Sequence, residues 1–255
     1  MSLNLCADQL LMVLLPPERI ASITWLSRTE GDPALLPIAA RLNINHGSAE
    51  EVLAVQPDLV IAGAYTTSAT RSLLERSTTP LLVIESAQDW PAIRRVTRQI
   101  AAAVGATQRG EELLGDMDAR LARLAATQPA RPVRVIGWSG SGSDVPGRDT
   151  VFDTILKAAG GRNLGARPAG LGSFDLEQVL AARPQLLLRG AAYAATPSLH
   201  TEVALHRVIQ RLYPQAQRVY PEALYGCGVP RAAVAAEELR AALLQAPVAR
   251  DAAAP

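Results

Sequence analysis

The run Gly137-Trp138-Ser139-Gly140-Ser141-Gly142 is the first place where this 255-residue sequence could do chemistry. A nucleophile elbow, G-x-S-x-G, needs glycine at position 141, where Ser141 stands. A dinucleotide fingerprint counted from Gly140 and Gly142 needs glycine at 145, where Val145 stands. Both enzyme readings fail, and a flexible loop following a strand is what remains. Of three histidines, His200 and His206 sit in a helical stretch without carboxylate–histidine spacing and read as surface residues. His46 lies in the loop Asn45-His46-Gly47. It is either a polar loop residue or a candidate axial contact to a metal-centred ligand. No cluster of ligating residues could hold a metal by protein alone. Glu50-Glu51, Glu111-Glu112 and Glu237-Glu238 are adjacent on helices, where side chains do not face each other, so they read as solvated faces rather than paired acids. Cys6 and Cys227 are too few to fix a redox compartment.

Composition narrows the classes further. Hydrophobic residues make up 49% and charged residues 19%, which fits a globular chain with a sizeable core rather than a disordered one. The formal charge of +1 is spread along the chain and leaves no footprint for nucleic acid or an anionic membrane. The early apolar run Leu10 to Leu15 is cut by Pro16-Pro17, far short of a membrane span. No basic n-region, h-region or cleavage site opens the chain, and Cys6 lacks the small residues of a lipoprotein site. Read literally this means cytoplasm; the expectation adopted is a leader already removed, or a mis-assigned start. Aromatic residues are only 4%, so their positions matter. Trp25, Tyr65, Trp138 and Tyr225 all fall in or beside expected loops.

These residues must be positioned by alternating strands and helices. Leu3 to Leu5 reads as a strand stub, Asp8 to Leu15 as a helix, and Ile20 to Ile23 as a strand. Ser48 caps a helix through Ala54, Pro57-Asp58 turns the chain, and Leu59 to Ala62 is an apolar strand. Thr70 to Arg76 is helical and Leu81 to Ile84 is another buried strand. Continuous apolar strands between amphipathic helices indicate mainly parallel sheets covered on both faces. A helix spans Asp89 to Val104, Gly105 interrupts, and Gln108 to Ala126 follows as one long helix. Strand–helix alternation restarts at Val133 to Ile136. The organisation is therefore α/β in two lobes: 1–106, an interlobe helix over 107–127, and 128–255 with a frayed Ala/Pro-rich tail from 246.

An internal repeat supports the duplication. SAEEVLAVQPDLVIAGA begins at Ser48 and DLEQVLAARPQLLLRGA at Asp175, offset by 127 residues. Glu50 matches Glu177, Val52 Val179, Leu53 Leu180, Ala54 Ala181, Pro57 Pro184, Leu59 Leu186 and Gly63 Gly190. Each copy carries a capping side chain, a short helix, a Pro turn, a buried strand and a glycine. Two similar lobes leave a cleft, and open α/β sheets bind ligands at strand carboxyl ends.

The segments SLNLCADQLLMVLLPPERIASI, SAEEVLAVQPDLVIAG, FDTILKAAGGRNLGA, DLEQVLAARPQLLL and CGVPRAAVAAEEL resemble, in order, those of class III periplasmic binding proteins, the carriers of vitamin B12 and ferric siderophores. The resemblance implies two α/β lobes, each a mainly parallel sheet with flanking helices, joined by one long helix. It implies no intrinsic cofactor and no enzyme activity. The expected ligand is a metal chelate: a corrinoid such as cobalamin, a ferric siderophore or, alternatively, haem. The expected partner is the membrane permease of an ABC importer, met by a monomeric carrier in the periplasm, with Glu50 and Glu177 as docking carboxylates. Gly63 stands where the vitamin B12 carriers have Trp, so the ligand class stays open. Trp25, Tyr65, Trp138 and Tyr225 are the candidate wall; Arg28, His46, Arg148 and Arg231 are the candidate polar anchors. With both cysteine loops facing the cleft, a Cys6–Cys227 disulfide is conceivable, although two buried free thiols is the simpler expectation. The rival readings are a two-lobed glycosyltransferase or chelatase, for which no catalytic acid or nucleotide loop is found, and a ligand sensor using the same cleft.

Overall fold

The computed structural model describes residues 1–139, 144–165, 171–191 and 202–246. They form two compact units. The first holds Met1–Met117 and a short return segment, Cys227–Pro230; the second holds Asp118–Gly226 and the chain from Arg231.

In the first unit Asn4 decides how the chain begins. Its side chain accepts hydrogen bonds from the Cys6 and Ala7 N–H groups, so α1 (Leu5–Leu14) starts at once. The strand expected at Leu3 to Leu5 therefore shrinks to a single parallel bridge between Ser2 and Ile61. Next come β1 (Ile23–Thr24), α2 (Leu26–Thr29), α3 (Leu36–Ala39), β2 (Ile44–Asn45), α4 (Ala49–Val55), β3 (Val60–Gly63), α5 (Ser68–Glu75), β4 (Leu81–Ile84), α6 (Trp90–Ala103) and α7 (Thr107–Ala126). β1 pairs in parallel with β2, and β3 with β4. Ser2 N donates to Ser22 O and Leu3 N to Ile61 O, so the first residues stitch the two pairs into one parallel layer. Met1, Leu3, Ala49, Val52, Val60 and Leu74 make its core beneath α4 and α5. The long helix is present as expected, and the division between the two units falls inside it, after Met117.

The second unit contains β5 (Val133–Trp138), β6 (Asp144–Pro146), α8 (Val151–Ala158), β7 (Gly161–Asn163), β8 (Leu171–Ser173), α9 (Leu176–Ala182), β9 (Leu186–Gly190), α10 (Glu202–Leu205), α11 (Arg207–Leu212), β10 (Gln217–Tyr220), α12 (Ala223–Gly226) and α13 (Ala232–Leu244). Its sheet runs β10-β9-β5-β7, all parallel. β6 and β8 form a separate antiparallel ribbon, and Ser139 bridges Asp144 in the same antiparallel sense. Buried Arg240 on α13 donates to the Leu124 and Thr127 carbonyls that end α7 and to Ala158 and Ala159 at the end of α8. One guanidinium thus satisfies carbonyls that helix termini leave without partners.

The repeat is structural, residue for residue. Ser48 and Asp175 both cap their helices, each in a reciprocal box with the third helical residue, Glu51 or Gln178. Both helices end on a left-handed residue, Gln56 or Arg183, 127 positions apart and each followed by proline. The core pairs Val52–Val60 and Val179–Leu187 keep the same offset, all at most 1% exposed. Both strands end on a glycine that a neighbour needs. A Cβ on Gly63 would lie 2.3 Å from the Asn4 amide, and one on Gly190 2.0 Å from the Glu222 carboxyl. Asn4 therefore claims the space beside residue 63, and since Asn4 caps α1 it cannot simply swing away.

Candidate functional site

The exposed aromatic and imidazole groups of the first unit stand at the carboxyl ends of its parallel strands. Trp25 follows β1, His46 follows β2 and Tyr65 comes two residues after β3. Trp25 is 40% exposed and Tyr65 85%. The rings of Trp25 and His46 stack at 6.5 Å with 25° between planes. Single exposed apolar side chains are ordinary on a protein surface. What marks these groups is that an indole, an imidazole and a phenol stand at the carboxyl ends of strands of one unit, where open α/β sheets bind ligands.

Glu51 builds the His46 loop. Its carboxylate accepts the Ser48 N–H at 3.1 Å and the His46 N–H at 3.0 and 3.1 Å, and it meets His46 Nδ1 at 3.3 Å. Partial burial raises the Glu51 pKa, but the bonds from Ser48 and His46 outweigh that and hold it below the ordinary carboxylate value. Glu51, not its neighbour Glu50, completes the cap, since only the third helical residue can reach back to the cap.

The other candidates fall elsewhere. Arg28 is a structural clamp: its guanidinium donates to the carbonyls of Ala39, Ala40 and Leu42, closing the end of α3. Trp138 is 1% exposed and packs with Val179, Leu187 and Ile209 in the second unit's core. Tyr225 is buried in a cluster with Phe152 and Tyr220, its hydroxyl donating to Ala235 O. Burial, with Glu238 beside it, pushes its phenol well above the usual tyrosine range, so it stays neutral. Neither ring is an exposed wall. Arg148 lines a 680 Å³ pocket of the second unit together with Lys157, Arg162 and Phe174, and Arg231 stands at the N-cap position of α13. The glycine motif keeps Gly137 because the Phe152 ring lies against it, 2.3 Å from where a Cβ would be. Gly140, Ser141 and Gly142 lie outside the described residues, as do His200 and the tail from 247. His206 is a helix cap, accepting from the Val208 N–H. Glu111 and Glu237 are taken up by Arg98 and by Arg120 with Arg123.

The two cysteines form a disulfide, with Cα atoms 5.2 Å apart, contrary to the expectation of free thiols. Both belong to the first unit, because Cys227–Pro230 packs there. Gly228 lies so close to Ala87 that a Cβ would meet its carbonyl oxygen at 2.0 Å.

No helix among the described residues is long and apolar enough to cross a membrane, and no group of three His, Cys, Asp or Glu could hold a metal ion. The profile of the periplasmic binding protein family matches residues 2–212. The chain belongs to that family. It is therefore a binding protein rather than an enzyme. Among solved structures it is similar to the periplasmic heme-binding protein RhuT from Roseiflexus sp. RS-1 in apo form, at 23% identity over 95% of this chain and 96% of that one, TM-score 0.76. A periplasmic heme-binding protein from Pseudomonas aeruginosa matches at 24% identity over 95% and 91%, TM-score 0.75. The vitamin B12 binding protein BtuF of Vibrio cholerae matches at 18% identity over 95% of each chain, TM-score 0.75. No curated protein matches the sequence.

Sequence reading missed the residue beneath the exposed edge of this periplasmic binding protein. Asp8 on α1 is fully buried, and its Oδ2 accepts from the Thr24 N–H at 3.0 Å, the Thr24 hydroxyl at 2.5 Å and the Ser27 hydroxyl at 2.8 Å. Those residues flank Trp25, so one carboxylate fixes the turn that presents the indole. Asn45, beside His46, is pinned likewise, donating to Ser2 O and Ser22 Oγ. Burial raises the Asp8 pKa to about 6 from 3.8, against the pull of its hydrogen bonds. The folded protein therefore holds this proton more tightly than the unfolded chain, and stability falls as pH rises from about 4 through about 6. A shift of this size corresponds to about 3 kcal/mol. We expect denaturant melts of the wild-type chain to show that loss between pH 4 and 7, and Asp8→Asn, which cannot ionise, to lack it. Equal slopes in both proteins would contradict the assignment.

Proposed function

We propose that this chain is the periplasmic carrier of an ABC importer and that its cargo is a metal tetrapyrrole, a haem or a corrinoid. The observation that carries the reading is the Trp25–His46 stack, with Tyr65 exposed at the same end of the same unit's strands. A flat apolar face with an imidazole beside it suits a flat macrocycle with a metal at its centre. Carriers of similar fold are named for heme and for vitamin B12, which supports the same class. The carrier acts as a monomer and hands its cargo to a membrane permease. No intrinsic cofactor is needed, since the metal arrives inside the ligand. Arg148 and Arg231 remain anchors to test for acidic groups on the cargo. Ferric siderophores are the second outcome of the same binding tests.

Trp25→Ala and Tyr65→Ala are each expected to weaken binding of the bound tetrapyrrole by about 0.5–3 kcal/mol. The melting curve of Tyr65→Ala should stay unchanged, because that side chain is 85% exposed, whereas Trp25→Ala, at a residue 40% exposed, should melt slightly lower. Tyr225→Ala should instead lower stability by about 3–5 kcal/mol, as expected of a core ring. Calorimetric titration and thermal melts separate the two patterns; unchanged affinity in both surface variants would remove them from the site.

A further inference from the structure

Three features of the His46 loop point past a merely polar surface residue. The imidazole is held on one nitrogen only: Nδ1 meets Glu51, and Nε2 has no partner among the described residues. The side chain is nonetheless 69% exposed, so the contact orients the ring without hiding it. One face of the ring lies along Trp25, which limits its rotation. A carboxylate on one imidazole nitrogen and an open position at the other is the arrangement that metal-ligating histidines use, because it fixes the tautomer and makes the free nitrogen more basic.

We propose that His46 is an axial ligand to the metal of the cargo through Nε2, and that Glu51 is the positioning residue that makes it one. This rests on the tetrapyrrole reading above. The device is built into secondary structure. Glu51 is also the third residue of α4, where it bonds the backbone N–H groups of Ser48 and His46. The cap that starts the helix therefore also aims the ring. The corresponding box in the second unit, Asp175 with Gln178, has Phe174 and Ser173 before it and no imidazole, so the duplicated frame carries the ligand once. Ligation is a simple exchange: the Nε2 lone pair bonds to the metal and the water that held that axial position leaves.

The test uses the full chain with ferric haem and with aquacobalamin, each carrying an exchangeable axial water. Absorbance and, for haem, electron paramagnetic resonance read the donor. Wild type is expected to show a nitrogen-donor spectrum with whichever probe binds. His46→Ala should lose that signature, and added imidazole should restore it. Glu51→Gln keeps a residue that can complete the capping box, so the fold and melt should hold. It should keep the nitrogen signature yet weaken binding of the probe by about tenfold or more, as loss of an orienting carboxylate does at metal sites. A wild-type complex whose spectrum survives His46→Ala would overturn the inference while leaving the tetrapyrrole reading intact, and an oxygen-donor spectrum in wild type that is lost in Tyr65→Phe would overturn it by reassigning the ligand to the phenolate. Failure of wild type to bind either probe would overturn both.

Discussion

Removing the Cys6–Cys227 disulfide is expected to destabilise the first unit by about 2–5 kcal/mol. The bond closes a loop across 221 residues of sequence, and loop-closure entropy grows with that separation. Its local consequence is specific. Cys227–Pro230 is a four-residue visitor in the first unit, and α12 before it and α13 after it belong to the second. The disulfide ties that visitor to the first turn of α1, beside the Asn4 cap. The Cys6→Ser/Cys227→Ser double variant and the reduced wild type should both melt roughly 4–20 °C lower than the oxidised protein. Hydrogen exchange should localise the loosening to 227–230 and the start of α1. Identical melts for oxidised and reduced protein would show that the segment holds without its tether. A bond of this kind also suits the oxidising periplasm proposed for the chain.

Reversing two charges, Glu50→Arg with Glu177→Arg, is expected to abolish delivery to a permease while leaving cargo binding intact. The two glutamates hold the same second helical position in the two copies of the repeat, and both are exposed. Among the described residues neither has an ion-pair partner, whereas Glu51 next door is fully engaged in its cap. A helix-start carboxylate does favour its own helix, so each substitution should also cost a few tenths of a kcal/mol to about 1 kcal/mol of stability. Each exposed pair with a permease arginine would add only about 0–1 kcal/mol, but two such charges, one per unit, can together set orientation and encounter rate. Uptake in reconstituted vesicles should fall to the level seen without carrier, and titration of the soluble variant should match wild type. Full transport by the double variant would end the docking proposal.

What could be read from the sequence was whatever is local or repeated. The capping residues, the Pro turns and the apolar strands of the repeat recur at a spacing of 127, and each has a physical reason visible within a dozen residues. The long helix shows in the periodicity of Leu113, Leu114, Met117, Leu121 and Leu124. What stayed hidden depends on distant partners. Asp8 looks like an ordinary first-turn acid until Thr24 and Ser27 close around it. Arg28 looks like a free anchor until the α3 carbonyls meet it. Trp138 and Tyr225 sit beside loops, and scarcity of aromatics made each appear available; the strand end and the Phe152–Tyr220 cluster bury them. Glu51 was legible, because Ser48-x-x-Glu51 has the spacing of a reciprocal cap. That spacing, read with His46 two residues earlier, was the available signal for the site.

The central claim is that the chain binds a metal tetrapyrrole, and equilibrium titration of the intact, oxidised protein tests it most directly. Ferric haem, cobalamin and a ferric siderophore would be compared by calorimetry and absorbance, with iron-free porphyrin as the control for stacking alone. The account predicts saturable binding of haem or cobalamin, with a shifted metal-centred spectrum and weaker binding of the iron-free ring. Saturable binding of the siderophore alone, or no saturable binding of any of them, would contradict it.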